Sequence, residues 1–193
     1  MTQLTRNDLF SLEQYALCRV EFRARVMTHK KQRRLELSPH LALCFEDALT
    51  MQYQIQEMLR IERIFEPEGI QEELDVYNPL IPDGHNWKAT FMIEYPDIEE
   101  RKVALGRLIG IEKGLYIQVA DFARVYAIAN EDLERDTADK TAAVHFVRFE
   151  LTPEMIAAIQ QGQPVKAGTE HPESTSEVTI TGAVRESLVG DLH

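Results

Sequence analysis

The sequence predicts a single α+β domain over residues 1–193, with long N-terminal and central helices packed on a mainly antiparallel sheet. Three observations carry this. Two stretches place apolar residues at alternating steps of three and four, the period of a helix face. Two others, Trp87–Tyr95 and Ala143–Leu151, alternate apolar and polar residues with the period of a half-buried strand. Helices and strands are interleaved without a βαβ repeat, which excludes a doubly wound parallel sheet.

Taken in order, the first helix runs from Ser11 to about Lys31. Ser11 caps it, and Leu12, Tyr15, Arg19, Phe22, Val26 and His29 share one face. Arg33–Leu37 is a short strand, turned at Ser38–Pro39 into a second strand, His40–Phe45. The central helix, Asp47–Phe65, is capped by Asp47 and stopped by Pro67. Its expected inner stripe is Ala48, Met51, Ile55, Met58, Glu62 and Phe65. A short helix follows over Glu68–Val76, then a loop anchored by Tyr77, Leu80 and Ile81 and broken at Asn78–Pro79 and Pro82–Asp83–Gly84.

Trp87–Tyr95 is the clearest strand. Asp97–Leu108 is amphipathic, with Val103, Ala104, Arg107 and Leu108 on its inner side. Leu115–Val119 and Arg124–Ala129 read as a hairpin. In Ala143–Leu151, Val144 and Phe146 face one way, and His145, Val147, Phe149 and Leu151 the other. Thr152 caps a helix to Gln160 that Gly162 ends. Gln163–Ile180 reads as two short edge strands, and Gly182–Val189 as a final helix.

With 44% apolar and 27% charged residues the chain has ordinary globular composition. No apolar run approaches a membrane span, and MTQLTRNDLF lacks the charged head and apolar stretch of a secretory signal. The two cysteines, Cys18 and Cys44, form no metal or redox motif. A cytoplasmic location is therefore expected. Charge is uneven: residues 1–37 hold eight Lys/Arg against four Asp/Glu, a balance of +4, and the remainder carries −15. Lys30, Lys31, Arg33 and Arg34 could contact phosphates, but the acidic remainder repels DNA, so nucleic acid is not an expected partner. Those four residues, with Glu131, Asp132 and Glu134 in the acidic loop Glu131–Asp139, form a candidate partner surface, for another protein or for a second copy of the chain.

Glu62 stands in an apolar stripe, and a carboxylate there must be protonated, paired or metal-bound. His145 or Arg148 is its candidate partner. His40, Glu46, Glu62 and His145 carry the donor chemistry for a divalent metal such as zinc, manganese or iron. Their spacing matches no motif, and a core histidine bonded to backbone is the commoner arrangement. Glu57, Arg60 and Arg63 are spaced for a helix-surface ion-pair network. There is no GxGxxG, P-loop, GxSxG or HExxH, so no reaction is read from the sequence.

The segments SLEQY, EFRARVMTHKK, LTMQYQIQEMLRIERIFEPEGIQEELDVYNPLIPDG, IEYPDIEERK and KTAAVHFVRFEL resemble the bacterial family called domain of unknown function 3501, over about Leu12–Leu192. The resemblance implies no established activity or catalytic residues. It implies genomic company with rubrerythrin-like and iron–sulfur, heterodisulfide-reductase-like proteins, hence an accessory or binding role in redox or oxidative-stress metabolism. The chain has no Glu-x-x-His, which disfavours a rubrerythrin-type di-iron centre of its own. The alternative reading is a metal-dependent enzyme or metal-binding protein using the His/Glu set.

Overall fold

The computed structural model describes residues 3–131, 137 and 139–193. The described elements are α1 (Leu12–Lys31), β1 (Arg34–Ser38), β2 (Leu41–Phe45), α2 (Ala48–Glu62), α3 (Pro67–Tyr77), β3 (Asn86–Ile93), α4 (Ile98–Arg107), β4 (Leu115–Val119), β5 (Val125–Tyr126), β6 (Ile128–Ala129), β7 (Val144–Glu150), α5 (Pro153–Gln160), β8 (Val165–His171), β9 (Ser174–Thr179) and α6 (Gly182–Val189). The strands form two antiparallel sheets, ordered β1-β2-β3-β7-β6 and β5-β4-β8-β9. The class is α+β.

The main core lies between the two sheets. Period two turns Leu41, Leu43, Phe45, Trp87, Ala89, Phe91, Val147 and Phe149 of the first sheet toward Leu115, Ile117, Val119, Val165 and Ala167 of the second. The helices α1, α2 and α3 hold smaller clusters of their own. Tyr15, Phe22 and Val26 pack with Leu49 and Tyr53, and Ile55, Leu59 and Leu74 pack with Leu12, Ile64 and Tyr77. The central helix therefore organises the helical layer, whereas the two sheets organise the main core.

Helix starts match the expected caps. Ser11 Oγ accepts from Gln14 N–H at 3.2 Å. Asp47 and Thr50 bond each other reciprocally, each at 2.9 Å. The end of α2 differs from expectation. Arg63 adopts the left-handed conformation (φ 57°) and closes the helix at Glu62, and Pro67 opens α3 at its first position instead of ending the previous run. The buried face is Met51, Ile55 and Leu59, with Gln56 beside it. Glu62, the last residue of α2, and Phe65, beyond the helix end, are both exposed. Gln56 is fully buried because its amide satisfies the backbone of Phe10, accepting from its N–H at 2.5 Å and donating to its carbonyl at 3.3 Å.

Three further expectations change. On α4 only Ala104 and Leu108 of the expected inner side are buried, and Val103 and Arg107 face out. The stretch Arg124–Ala129 is two strands: β5 pairs with β4, and after Ala127 the chain crosses to pair as β6 with β7 in the other sheet. Of the two strands expected at edges over Gln163–Ile180, β9 is at an edge and β8 is not, since it lies between β4 and β9. Gly168 permits that close packing, because a Cβ there would lie 2.6 Å from the Tyr116 hydroxyl.

Candidate functional site

The outward face of the first sheet, away from the main core, carries the alternate residues of β2, β3 and β7. Cross-strand register sets them in rows, with Lys88 opposite Arg148, and Cys44 and Phe146 on either side of Thr90. Glu46 N–H donates to the Lys88 carbonyl at 2.8 Å, which places Glu46 at the end of the Lys88–Arg148 row. The end of α3 and the turn after it, Asn78–Leu80, lie over this face. Between them is a cavity of about 740 Å³ lined by Val76, Tyr77, Leu80, Lys88, Phe146 and Arg148, with Asp75, Pro79, Glu131 and Val147 completing the wall. That volume and mixed lining are those of a small-molecule site.

Lys88 is half-buried, and its ammonium donates to the carbonyls of Pro79 at 2.7 Å and Ile81 at 2.9 Å. Burial pushes its pKa below the ordinary lysine value. Arg148 presents its fork to Glu131, Nε at 2.9 Å and Nη2 at 2.8 Å, and also holds Glu150. The Arg148 guanidinium keeps the Glu131 carboxyl below its ordinary range. Deeper on the face, Glu46 accepts from the Thr90 hydroxyl at 2.6 Å, and its second carboxylate oxygen is buried without a partner.

The expected His/Glu cluster is not assembled. Glu62 is exposed, so it is not the buried carboxylate that its apolar neighbours in sequence suggested. His145 is fully buried on the core-facing side of β7, with Nε2 2.9 Å from Thr141 Oγ1 and 3.0 Å from the Ala142 carbonyl, and Nδ1 3.1 Å from Asn130 Oδ1. Arg148, three residues on, faces the opposite side of the sheet and cannot share a site with it. His40 stacks on Tyr95 at 4.0 Å and Glu46 lies beyond the other end of β2. Six residues of extended chain hold these two about 20 Å apart. Among the described residues, no group of three or more His, Cys, Asp or Glu side chains is placed to hold a metal.

The expected ion-pair network exists with a different membership. Glu57 pairs with Arg60 at 3.1 Å and, more closely, with Arg19 of α1 at 2.8 and 2.9 Å, and it accepts from the Tyr15 hydroxyl at 2.7 Å. Arg63 is spent on the helix end instead. The Arg19 bonds, with Arg60 and Tyr15, hold the Glu57 carboxyl down to about 2.

In the basic run, Lys31 is exposed, Lys30 lies 6.0 Å from the Tyr53 ring, and Arg34 pairs with Glu94 at 2.5 Å. Arg33, expected on a partner surface, is 2% exposed. All five of its N–H donors are used. Nε donates to the Phe45 carbonyl, Nη1 to Ser187 and Asp191, and Nη2 to the Glu46 carbonyl and Asp191. Arg33 therefore ties the end of β2 to the chain's C-terminal segment. Beside it, His29 Nε2 lies 2.5 Å from the Asp47 carboxylate. Of the acidic loop, Glu131 is described and bonds Arg148; Asp132 and Glu134 lie outside the described residues.

Sequence reasoning placed Lys88 merely on the polar face of a strand. Nothing in its local pattern shows that α3 returns to cover it. Cys18 and Cys44 are free thiols, and burial pushes the Cys44 thiol up. No helix among the described residues is long and apolar enough to cross a membrane.

A family model described as "Protein of unknown function (DUF3501)" matches residues 3–192. The chain is similar, at 52% identity and TM-score 0.93 over 100% of both chains, to the crystal structure of a novel protein of unknown function from Burkholderia pseudomallei K96243. No curated protein matches it. The match over nearly the whole chain, together with this full-length structural relative, makes the protein a member of the DUF3501 family.

Proposed function

We propose that the protein is an accessory or binding protein of a redox-linked system, acting in the cytoplasm, and that the cavity under α3 is its binding surface. The observation that supports binding is the cavity itself: about 740 Å³, concave and largely apolar, with Lys88, Arg148, Asp75 and Glu131 in its wall. The redox assignment rests on the genomic company that the family resemblance implies, and the partner it names is an iron–sulfur or rubrerythrin-like protein. The metal-dependent alternative has no assembled ligand set behind it among the described residues.

The test is affinity capture from the native host, with captured proteins identified by mass spectrometry and iron content. Val76 lines the cavity at 63% exposure. Val76→Trp should therefore obstruct the cavity while changing stability by less than about 0.5 kcal/mol. The unmodified chain should retain an iron–sulfur or rubrerythrin-like protein, and Val76→Trp should retain markedly less. Capture of no redox protein by the unmodified chain would overturn the accessory reading. Equal capture by both would move the binding surface elsewhere.

A further inference from the structure

We infer that the cavity under α3 is a site for a small apolar monocarboxylate, whose carboxylate pairs with Lys88 and whose hydrocarbon body lies against Val76, Tyr77, Leu80 and Phe146. This rests on reading the cavity as a binding surface and names the chemistry of its occupant.

A half-buried ammonium is ordinarily matched by a carboxylate, because desolvating a lone cation is expensive. Lys88 has no carboxylate in ion-pair contact among the described residues. The acids close enough to act on it through space are Asp83, Glu131 and Glu150, and each is committed elsewhere. Asp83 accepts from His85 N–H and the Asn86 amide. Glu131 and Glu150 are both held by Arg148. An ammonium has three donors, and Lys88 spends two on the Pro79 and Ile81 carbonyls. One remains for a ligand.

Those two carbonyl bonds also fix the side chain against the turn that roofs the cavity, so the cation is positioned before any ligand arrives. The Glu131 carboxylate seated in the Arg148 fork shows that the wall already accommodates that functional group. Arg148 is shared by Glu131 and Glu150, and Asp75 on the wall accepts from the Gln71 amide at 2.8 Å, so the group left to meet a ligand is the single free donor of Lys88, which suits one carboxylate and not two. Val76, Tyr77, Pro79, Leu80 and Phe146 make most of the remaining lining apolar, which selects a hydrocarbon body over a sugar or a nucleotide.

Isothermal titration of the full chain with octanoate and with octanol, which share a chain length but not a charge, tests this. Octanoate should bind about tenfold or more tightly than octanol, the difference that one hydrogen bond to a charged group supplies. Lys88→Met should collapse that ratio toward one, and Lys88→Arg should restore most of it. If Lys88→Met fails to fold, Val76→Trp is the control, since it obstructs the cavity from an exposed position and should abolish octanoate binding. Octanol binding as tightly as octanoate would overturn the carboxylate assignment and leave the cavity as a binding surface. Binding of neither, an unchanged ratio in Lys88→Met, or undiminished octanoate binding by Val76→Trp would each overturn the inference without bearing on capture of a redox protein.

Discussion

Asp191→Ala should be among the most damaging single changes at any polar residue of this chain. Asp191 is 4% exposed and accepts from both terminal nitrogens of Arg33, at 3.3 and 2.5 Å. Burial lifts the Asp191 carboxyl above its ordinary range by more than Arg33 lowers it. The ionised pair is thus kept against a desolvation penalty, and its net worth is small. Removing one member is another matter. Arg33 cannot shed its proton, so Asp191→Ala leaves a buried guanidinium with Asp47, 3.4 Å from its Nε, as its remaining counter-charge and with one acceptor fewer on each terminal nitrogen. Breaking a buried pair in this way costs about 3–5 kcal/mol. For a chain of this length each kcal/mol moves the melting temperature by about 2–4 °C, so a drop of about 6–20 °C is expected. Circular-dichroism melts with parallel urea titrations measure it, at one protein concentration. Asp191→Asn keeps a carbonyl acceptor and should lose less. A melting temperature for Asp191→Ala within about 2 °C of the parent would refute the argument, because it would mean that water reaches Arg33.

Two other outcomes follow from the same geometry. Arg19, Arg60 and Tyr15 hold the Glu57 carboxyl at about 2, against an ordinary value of 4.5. Its folded-state pKa is depressed, so its stabilisation is complete above pH 4.5 and is lost as pH falls toward 2. Glu57→Gln should cost about 1–2 kcal/mol at neutral pH, toward the low end because Arg19 and Arg60 stay partly exposed, and should flatten the stability curve between pH 4.5 and 2; a curve parallel to the parent's would count against the network. Glu62→Gln, by contrast, should move stability by less than about 0.5 kcal/mol, since Glu62 is exposed; a loss above 1 kcal/mol on thermal denaturation would show that it is buried after all.

Helices and strands were legible wherever the signal was local. Ser11, Asp47 and Thr152 cap helices because a short polar side chain can reach the free amides of the next turn, whatever surrounds it. Period two in Val144–Glu150 told which residues share a face, and it put His145 with Val147 and Phe149. The same local signal misled at Glu62. Met58 and Phe65 suggested a buried neighbour, but a single left-handed residue at Arg63 ended the helix and turned the chain away.

By itself, the sequence determined most of the elements, their order and the apolar face of the two strands Trp87–Tyr95 and Ala143–Leu151. These depend on backbone dihedrals and on side-chain period, which neighbours in the chain control. Only the tertiary structure decided which faces meet. Arg124–Ala129 splits between two sheets at Ala127 although its apolar run, Val125–Ala129, is unbroken. Arg33 is buried within a basic run because Asp191, at the far end of the chain, closes over it. Lys88 lines a cavity because α3 folds back across the sheet and half-buries its ammonium. Desolvation and charge pairing depend on distance through space, and no pattern of neighbours along the chain records that distance.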